Sequence, residues 1–356
     1  MGERGVDVLL LSVGPDLPWL VGYEAMPLER LTMLVLPRDG EVTLVVPRLE
    51  APRVVERPDV FSLRPFGETE DPIGVVTGLV GAAASVAVSD RTWARFVLDL
   101  QASLPSARWT RGSEVTGPLR AVKDEAEIEA LRRAGAAADR VATQLQAGEV
   151  PLVGRTEAEV SADLGRRLLA EGHQLVNFAI VAAGADAASA HHEPGDRVIE
   201  PGEVVLCDFG GTMAADGGAG YCSDITRCVS TGEPPSEVAE AYRVLQRAQQ
   251  AAVAAATVGT ACEEVDAVAR DIIADAGYGD RFVHRTGHGI GVEEHEDPYV
   301  VAGNATTLVP GHAFSIEPGI YVPGRWGMRL EDIVVAGHDG PDPLNLVDHD
   351  LVVVDA

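Results

Sequence analysis

The first third of the chain alternates short apolar runs with segments in which apolar residues recur at helical spacing. Three of the apolar runs predict β-strands, at Val8–Leu11, Leu31–Leu36 and Val42–Val46. The turn sequence Pro37-Arg-Asp-Gly-Glu separates the last two runs, which is typical of neighbouring strands. Residues 71–81 and 91–104 are predicted to be helical, with a further strand at 86–88 between them. Such alternation predicts a small α/β domain.

The regular pattern breaks between residues 105 and 123, where two prolines and two glycines fall close together. A long helix is predicted immediately afterwards, at 124–146, because Asp124 and Glu127 have the spacing of a capping box. Apolar residues then follow at intervals of three and four, so this helix has one apolar face. We therefore predict a domain boundary between residues 117 and 118.

The rest of the chain alternates runs of helices with runs of strands. Helical spacing predicts further helices at 156–171, 236–256 and 262–276, and apolar runs predict strands before residue 230 and after residue 276. This order is typical of an α+β fold in which helices cover one face of an antiparallel sheet. We thus expect an α+β catalytic domain at 118–356 and a smaller α/β domain at 1–117.

The chain is strongly acidic, with 55 Asp and Glu against 28 Lys and Arg and a formal net charge of −27. A surface of this charge repels phosphate backbones and anionic lipid heads, so we expect neither nucleic acid nor a membrane as a partner. The residues after Met1 include acids before the first apolar run, which is atypical of a secretory signal. We therefore expect a cytoplasmic protein.

Several carboxylates interrupt apolar strands. Asp208 and Glu317 directly follow apolar runs, Glu331 precedes another, and His288 lies in the glycine-rich segment Gly287-His-Gly-Ile-Gly. Burying an ionised carboxylate is unfavourable unless it is paired or bound to a metal, so these residues together indicate a site. Carboxylates with one imidazole favour Mn²⁺, Co²⁺ or Zn²⁺ over a soft thiolate site. Two such ions could share bridging carboxylates and activate a water molecule.

The order of the segments around these residues resembles the pita-bread metallopeptidases. Within that group the chain is similar to the proline-specific branch, Xaa-Pro dipeptidase (prolidase) and Xaa-Pro aminopeptidase. The resemblance is strong over residues 120–356, whereas residues 1–117 more weakly resemble the creatinase-like amino-terminal domain. The segments that carry it are Asp208-Phe-Gly-Gly, Tyr221-Cys-Ser-Asp224-Ile-Thr-Arg, His284-Arg-Thr-Gly-His288-Gly-Ile-Gly, Glu294-His295-Glu, Ser315-Ile-Glu317-Pro-Gly-Ile-Tyr and Met328-Arg329-Leu-Glu331-Asp.

The resemblance implies two divalent metal ions per chain, with Mn²⁺ as the first choice and Co²⁺ or Zn²⁺ as alternatives. The implied metal ligands are Asp208, Asp224, His288, Glu317 and Glu331. In the family pattern Asp224 and Glu331 bridge both ions. Asp208 belongs to one ion, and His288 and Glu317 belong to the other.

Four residues are implied to be catalytic, His191, His295, Glu317 and Arg329. Glu317 would accept and pass on a proton. His295 and His191 would stabilise the tetrahedral oxyanion and help the proline nitrogen to leave. Arg329 matches an arginine that lies beside the metal cluster. His192, next to His191, is an alternative for the same position.

One spacing departs from the family pattern. Asp208 and Asp224 are 16 residues apart, several more than in the family's usual hairpin. The extra residues fall in the glycine-rich segment 213–220, which suits a flexible turn. A longer turn can leave both strands in register, so we retain both aspartates as ligands. Asp216, within the turn, is an alternative ligand in a shifted register.

The implied activity is hydrolysis of the bond between an amino-terminal residue and proline in di- or oligopeptides, by a chain that we expect to be a homodimer. Two alternatives remain. One is an aminopeptidase of the same fold without proline specificity. The other is a metal-free pita-bread protein that binds peptides or proteins, although retention of all five ligands argues against it.

The length of the peptide substrate is a further expectation. A strict dipeptidase must neutralise the free carboxylate of its substrate, and an arginine in the loop after His295 would do this bidentately. The stretch Glu296–Ile316 contains no Arg and no Lys, and Tyr299 follows Pro298 where a basic residue might stand. Arg325 and Arg329 are the substitutes near the metal ligands in sequence. The absence of a basic residue in that loop predicts that longer peptides are also cleaved.

Overall fold

The computed structural model describes residues 1–215 and 218–354 of the chain. It divides into two compact units, the first comprising Met1–Arg120 with Ala215–Gly220 and the second Ala121–Ala214 with Tyr221–Ala356. The boundary proposed between residues 117 and 118 falls within a helix that extends from Ser113 to Ala121. Asp216, the alternative ligand, lies outside the described residues.

Six strands form the sheet of the first unit: β1 (Val8–Leu11), β2 (Met33–Pro37), β3 (Thr43–Pro47), β4 (Ser62–Phe66), β5 (Ser85–Val88) and β6 (Arg108–Arg111). They lie in the order β4-β3-β2-β1-β5-β6, with β2 antiparallel to β1 and β3 and the other neighbours parallel. The helices of this unit are α1 (Asp16–Val21), α2 (Pro72–Val80), α3 (Ala94–Ser103) and α4 (Ser113–Ala121). The elements predicted between residues 8 and 104 are confirmed, with ends that agree within three residues.

Apolar side chains cover both faces of this sheet. Leu9 and Leu11 pack into the core on one face, and Val8 and Leu10 pack into the core on the other. Because successive side chains of a strand point to opposite faces, a strand buried on both faces becomes an unbroken apolar run. Strand β1, Val8–Leu11, is such a run, with all four residues buried.

The interruption predicted for residues 105–123 is wrong, because this segment contains β6 and α4. Strand β6 lies at the edge of the sheet, and its terminal residues Arg108 and Arg111 are exposed. An exposed edge strand needs no apolar run, so it gives no hydrophobic pattern. Helix α4 accommodates Pro118 in its interior, where a proline normally indicates a helix end.

The second unit contains four long helices, α5 (Glu125–Gln146), α6 (Glu157–Ala170), α7 (Ser236–Ala255) and α8 (Cys262–Asp275). The capping box predicted for α5 is confirmed. The Asp124 carboxylate accepts the backbone N–H of Glu127, and the Glu127 carboxylate accepts that of Asp124, both at 2.9 Å. Satisfying two otherwise unpaired N–H groups explains why the helix begins at this point.

Twelve strands of the second part of the chain form three sheets: β7 (Leu175–Ala183), β8 (Val204–Ala214), β9 (Gly220–Cys222), β10 (Ile225–Ser230), β11 (Gly287–Gly289), β12 (Glu296–Val300), β13 (Ala313–Ile316), β14 (Gly319–Val322), β15 (Trp326–Arg329), β16 (Asp332–Gly337), β17 (Gly340–Pro343) and β18 (Val352–Val353). One sheet has the order β18-β10-β8-β7, with β9 paired to β8, and another has the order β12-β11-β13-β16-β17. Strands β14 and β15 form a separate hairpin. The α+β class is therefore confirmed.

Two hydrophobic cores place the helices on the sheets. Helices α5 and α6 pack against β7, β8 and β10, whereas α7 and α8 pack with residues of β13–β16 and with the opposite face of β8. Along β8, Val205 and Cys207 belong to the first of these cores, and Val204 and Leu206 belong to the second. By the two-residue period of a strand, Asp208 shares the face of Val204 and Leu206. Its carboxylate therefore points away from α5 and α6.

A buried arginine joins two strands that directly follow residues of the predicted site. Arg227 of β10 is fully buried, and it donates to the carboxylate of Asp332 in β16 at 2.7 Å. The same guanidinium donates to the backbone carbonyls of Thr226, Glu331, Val347 and Asp348. Gln249 and His349 donate to the other oxygen of Asp332. This network fixes β10 against the start of β16.

We predict that Arg227→Met lowers the free energy of unfolding by about 3–5 kcal/mol, because it leaves a buried carboxylate and several carbonyls without their donor. Urea denaturation of the metal-free protein measures the change. Arg247→Met on the exposed face of α7 is the control and should change stability by no more than about 0.5 kcal/mol. Equal effects of the two substitutions would contradict this role of Arg227.

Candidate active site

The predicted metal ligands lie within strands or next to their ends. Asp208 lies in β8, and Asp224 immediately precedes β10. His288 is the central residue of β11, Glu317 follows β13, and Glu331 precedes β16. The two large sheets of the unit thus supply the five side chains from separate segments of the chain.

Strand register places Thr226 between two of these carboxylates. Thr226 pairs with Asp208 across the β8–β10 ladder and with Glu331 through an isolated bridge. Its hydroxyl donates to Glu331 Oε2 at 2.7 Å. The backbone pairing of β10 therefore brings carboxylates from two different sheets to the same place.

The ligand atoms of Asp224, His288 and Glu331 lie within 4.8 Å of one another. His288 Nε2 is 3.7 Å from Asp224 Oδ2 and 3.2 Å from Glu317 Oε1. His288 Nδ1 lies 3.2 Å from the carbonyl oxygen of Gly289, so it is assigned as the N–H donor. His288 Nε2 therefore faces the carboxylates, where it donates to Glu317 in the metal-free protein and is the nitrogen that a metal ion would use.

The carboxylates of this cluster are only partly satisfied by hydrogen bonds and ion pairs. Asp208 Oδ1, Asp224 Oδ1 and Glu331 Oε1 are buried and accept no hydrogen bond from any described residue. Burial, followed by repulsion from neighbouring carboxylates, raises the pKa of Asp224 and of Glu331 well above the usual values. A group of close, buried, unpaired oxygens is unfavourable by itself and fits divalent cations.

Arg329 is committed to holding Asp208. Its guanidinium forms an ion pair with Asp208 Oδ2, and it also donates to Tyr321 Oη at 2.7 Å and to the carbonyl of Ala190 at 3.2 Å. Its Nε donates to Thr226 Oγ1 at 3.1 Å. Burial raises the pKa of Asp208, although the charge of Arg329 opposes this effect. Arg329 therefore orients a carboxylate and has few donors left for a substrate.

Glu317 differs from the other acids of the cluster. Ser315 Oγ donates to Glu317 Oε1 at 3.1 Å. Burial acts to raise the pKa of Glu317, but the hydrogen bond and charge of His288, with the charges of His284 and Arg329, lower it to about 2. Glu317 is thus ionised at neutral pH.

His191 and His192, the two candidates for one catalytic position, have different surroundings. His191 lines the cavity that contains the carboxylates, and it is exposed. His192 instead lies 2.7 Å from Oε2 of the fully buried Glu157, whose Oε1 accepts the backbone N–H of Ala183 at 2.8 Å. The contact between His192 and Glu157 anchors the loop that presents His191.

His295 lies beside the cluster and opens to solvent on one side. Its ring centroid is 4.0 Å from that of His288, with the planes at 77°. Burial of part of the ring, and then the charges of His288 and Arg285, lower the pKa of His295 to about 4. The imidazole is therefore neutral at pH 7.

All the residues that the sequence implied for the site line one cavity of about 490 Å³, which is in the size range of small-ligand sites. Phe178 and Ile180, on the same face of β7, form part of its wall. Glycine is required at position 210, because a Cβ there would overlap the carbonyl oxygen of Ser223 and lie 2.8 Å from Phe178 Cζ. Gly287 is required similarly, because a Cβ would lie 1.8 Å from the carbonyl oxygen of Ser315.

Sequence reasoning missed the residues that support the ligands. Thr226 and Tyr321 contact Arg329, and His284 Nε2 lies 2.9 Å from Tyr321 Oη. His284 and Arg285 also line the cavity. All four stand inside the segments that carry the resemblance, so their position in those segments was the available signal.

Comparison with known families agrees with this geometry. Residues 129–338 match metallopeptidase family M24, and residues 1–122 match the creatinase/prolidase amino-terminal domain. The chain belongs to metallopeptidase family M24 and is a peptidase, which is a hydrolase. The predicted family and fold are thus confirmed.

Three relatives illustrate the similarity. A probable dipeptidase PepE of Mycobacterium bovis is 47% identical over 356 residues, 99% of this chain and 93% of the relative. An Xaa-Pro dipeptidase of Lactobacillus delbrueckii subsp. lactis is 37% identical, over 99% of this chain and 96% of the relative. The crystal structure of dipeptidase PepE from Mycobacterium ulcerans has a TM-score of 0.92 and 44% identity, covering 100% and 95% of the two chains.

Within residues 1–215 and 218–354, none of the helices has the length and apolar character needed to cross a membrane.

We predict that Asp224→Asn stabilises the metal-free protein and abolishes its stabilisation by Mn²⁺. Removing one charge that is only partly satisfied should raise the melting temperature in chelator by roughly 2–4 °C, the shift that about 1 kcal/mol produces in a domain of this size. A carboxyl whose pKa is raised on folding lowers stability as pH rises through that pKa, so the gain should be larger at pH 7.5 than at pH 5.

Scanning calorimetry with chelator and with Mn²⁺ measures both effects. Asp271→Asn, on the exposed face of α8, is the matched control and should change neither. A lower melting temperature of the Asp224→Asn protein in chelator would contradict the conclusion that this charge is only partly satisfied.

Proposed function

We propose that this chain is a metal-dependent exopeptidase that hydrolyses the bond between an amino-terminal residue and a following proline. The proposal rests mainly on one observation, that the five metal-ligand candidates and the two histidines predicted to be catalytic line a single cavity. The names of the 47% and 37% identical relatives, a dipeptidase and an Xaa-Pro dipeptidase, support it.

In this proposal Asp208, Asp224, His288, Glu317 and Glu331 would hold two divalent ions. The donor set is rich in carboxylate oxygen, which favours Mn²⁺, with Co²⁺ or Zn²⁺ as alternatives. When bound, the ions would polarise the scissile carbonyl and make a water molecule more acidic. The unpaired oxygens of the cluster are the support for this assignment.

The remaining steps fall to side chains of the protein. Glu317, ionised at neutral pH, accepts the proton of the attacking water. His295, as a neutral imidazole, donates a hydrogen bond to the carbonyl oxygen as it becomes negative. His191, on the loop anchored through His192, faces the nitrogen of the leaving proline and helps its protonation. Arg329 acts by positioning Asp208.

The apolar wall of the cavity supports specificity for proline. An Xaa-Pro bond is a tertiary amide, so the site cannot recognise a peptide N–H and must accommodate a ring. Phe178 and Ile180 provide apolar surface next to Asp208, since Ile180 pairs with Asp208 across the β7–β8 ladder. We infer that the pyrrolidine ring packs on this wall.

We expect the Mn²⁺-loaded protein to hydrolyse Ala-Pro with a kcat/KM at least about tenfold that for Ala-Ala, because the apolar wall favours a ring by roughly 1.4 kcal/mol or more. Chelation should abolish both activities. Equal rates for the two dipeptides would identify an aminopeptidase or dipeptidase without proline specificity. Tight binding of peptide without hydrolysis by the loaded protein would favour a binding module.

Two substitutions distinguish a role in catalysis from a role in metal binding. His295→Ala should retain metal and lower kcat by about 10²-fold or more, the usual scale for a positioned oxyanion or acid–base group. Glu331→Ala should lose metal. Elemental analysis and steady-state kinetics on the same preparations measure both. If both variants lost metal equally, His295 would be a ligand and its assigned role would be wrong.

A further inference from the structure

We propose that Arg285 binds the free carboxylate of a dipeptide substrate and so selects dipeptides over longer chains. The inference rests on the proposed exopeptidase function and identifies the class of peptide that the site prefers. Three observations carry it: the position of Arg285 in the cavity, the engagement of the competing arginines elsewhere, and the aromatic ring that supports its guanidinium.

Arg285 reaches the cavity from the segment just before β11. The backbone N–H of Thr286 donates to the carbonyl of Val300 at 3.0 Å, which places Arg285 next to the residues of β12. Its guanidinium carbon lies 4.4 Å from the centroid of the Tyr299 ring. Arg285 is partly buried and lines the same cavity as the metal-ligand candidates.

The other arginines near the ligands in sequence are already engaged. Arg329 pairs with Asp208 and donates to three further groups. Arg325 is exposed and forms a two-point ion pair with Glu237 at 2.7 and 2.9 Å. In the described part of the chain, Arg285 has no carboxylate within ion-pair distance, so among the cavity's arginines it has donors available.

Contact with the Tyr299 ring orients the N–H donors of the Arg285 guanidinium. A guanidinium that lies over an aromatic ring uses its face for the contact and keeps the N–H groups along its edge. Those N–H groups match the two oxygens of a carboxylate in a bidentate pair. The ring also restricts the side chain before the substrate arrives, which lowers the entropy lost on binding.

A free substrate carboxylate needs a cation that the acids of the cavity do not already engage. Five carboxylates line the cavity, Asp208, Asp224, Glu294, Glu317 and Glu331, and in the proposed function they engage the metal ions and Arg329. The carboxylate of a dipeptide lies only one residue beyond the scissile bond. Arg285 can pair with it there, whereas a longer peptide presents a neutral amide and gains nothing from the cation.

This placement changes the expectation for substrate length. The loop after His295, where a carboxylate-binding arginine was expected, contains no basic residue over Glu296–Ile316. Arg285 stands before His288 in sequence and was outside that stretch. Tyr299, which occupies the place expected for a basic residue, instead supports an arginine from the neighbouring segment.

The test compares Ala-Pro with Ala-Pro amide, which differ only in the carboxylate. We expect the wild-type protein to favour the free acid by at least tenfold in kcat/KM. Arg285→Gln should lower kcat/KM for the acid by about 10–100-fold, mainly through KM, and leave the amide within about twofold. Arg285→Lys should have a kcat/KM for the acid between those of the wild type and Arg285→Gln, because a point charge does not form the bidentate pair. Arg325→Gln is the matched control and should keep the wild-type ratio.

Failure of the inference about Arg285 can be distinguished from failure of the proposed function. If Arg285→Gln keeps the wild-type preference, or slows the acid and the amide equally, the inference is overturned and Arg285 serves only the packing of β11 and β12. If Ala-Pro is not preferred over Ala-Ala, the proline proposal fails, but the ratio of Ala-Ala to its amide still tests Arg285. If no peptide is hydrolysed, calorimetric titration with Ala-Pro replaces kinetics, and binding that is absent or unchanged in Arg285→Gln overturns the inference.

Discussion

Repulsion among buried carboxylates is the constraint around which the second unit is organised. Asp208, Asp224 and Glu331 are each less than a tenth exposed, and each has an oxygen that receives no hydrogen bond from the described residues. In a medium of low polarity such charges repel strongly, and cations are the natural way to balance them. The fold stabilises a state that is favourable only when this cluster is neutralised, which couples metal binding to stability.

Supporting side chains hold the cluster in place against that repulsion. Thr226 donates to Glu331, and Arg329 pairs with Asp208 while contacting Thr226 and Tyr321. On the other face of β10, Arg227 bonds to the backbone on both sides of the bridge between Thr226 and Glu331. The two faces of one strand thus serve different purposes, because successive side chains alternate between them.

The cavity combines three kinds of surface that a bound peptide would contact. The carboxylates and His288 lie together, Phe178 and Ile180 provide an apolar wall, and Arg285 provides a cation supported by Tyr299. Metal, ring and carboxylate recognition are chemically distinct, so each can be altered by substitution without removing the others. This separation is what allows hydrolysis, proline preference and peptide length to be tested independently.

The sequence by itself determined the α+β class and the long helices, because capping and helical spacing are local patterns. Its resemblance to the pita-bread metallopeptidases implied the candidate ligands. It did not reveal β6, whose exposed edge carries no apolar pattern, or separate His191 from His192, which are adjacent in sequence. The tertiary structure decided that His192 contacts Glu157, that Arg329 is committed to Asp208, and that Arg285 lies over Tyr299. Those pairings join residues 14 to 121 positions apart in the chain, and only the tertiary structure brings such residues together.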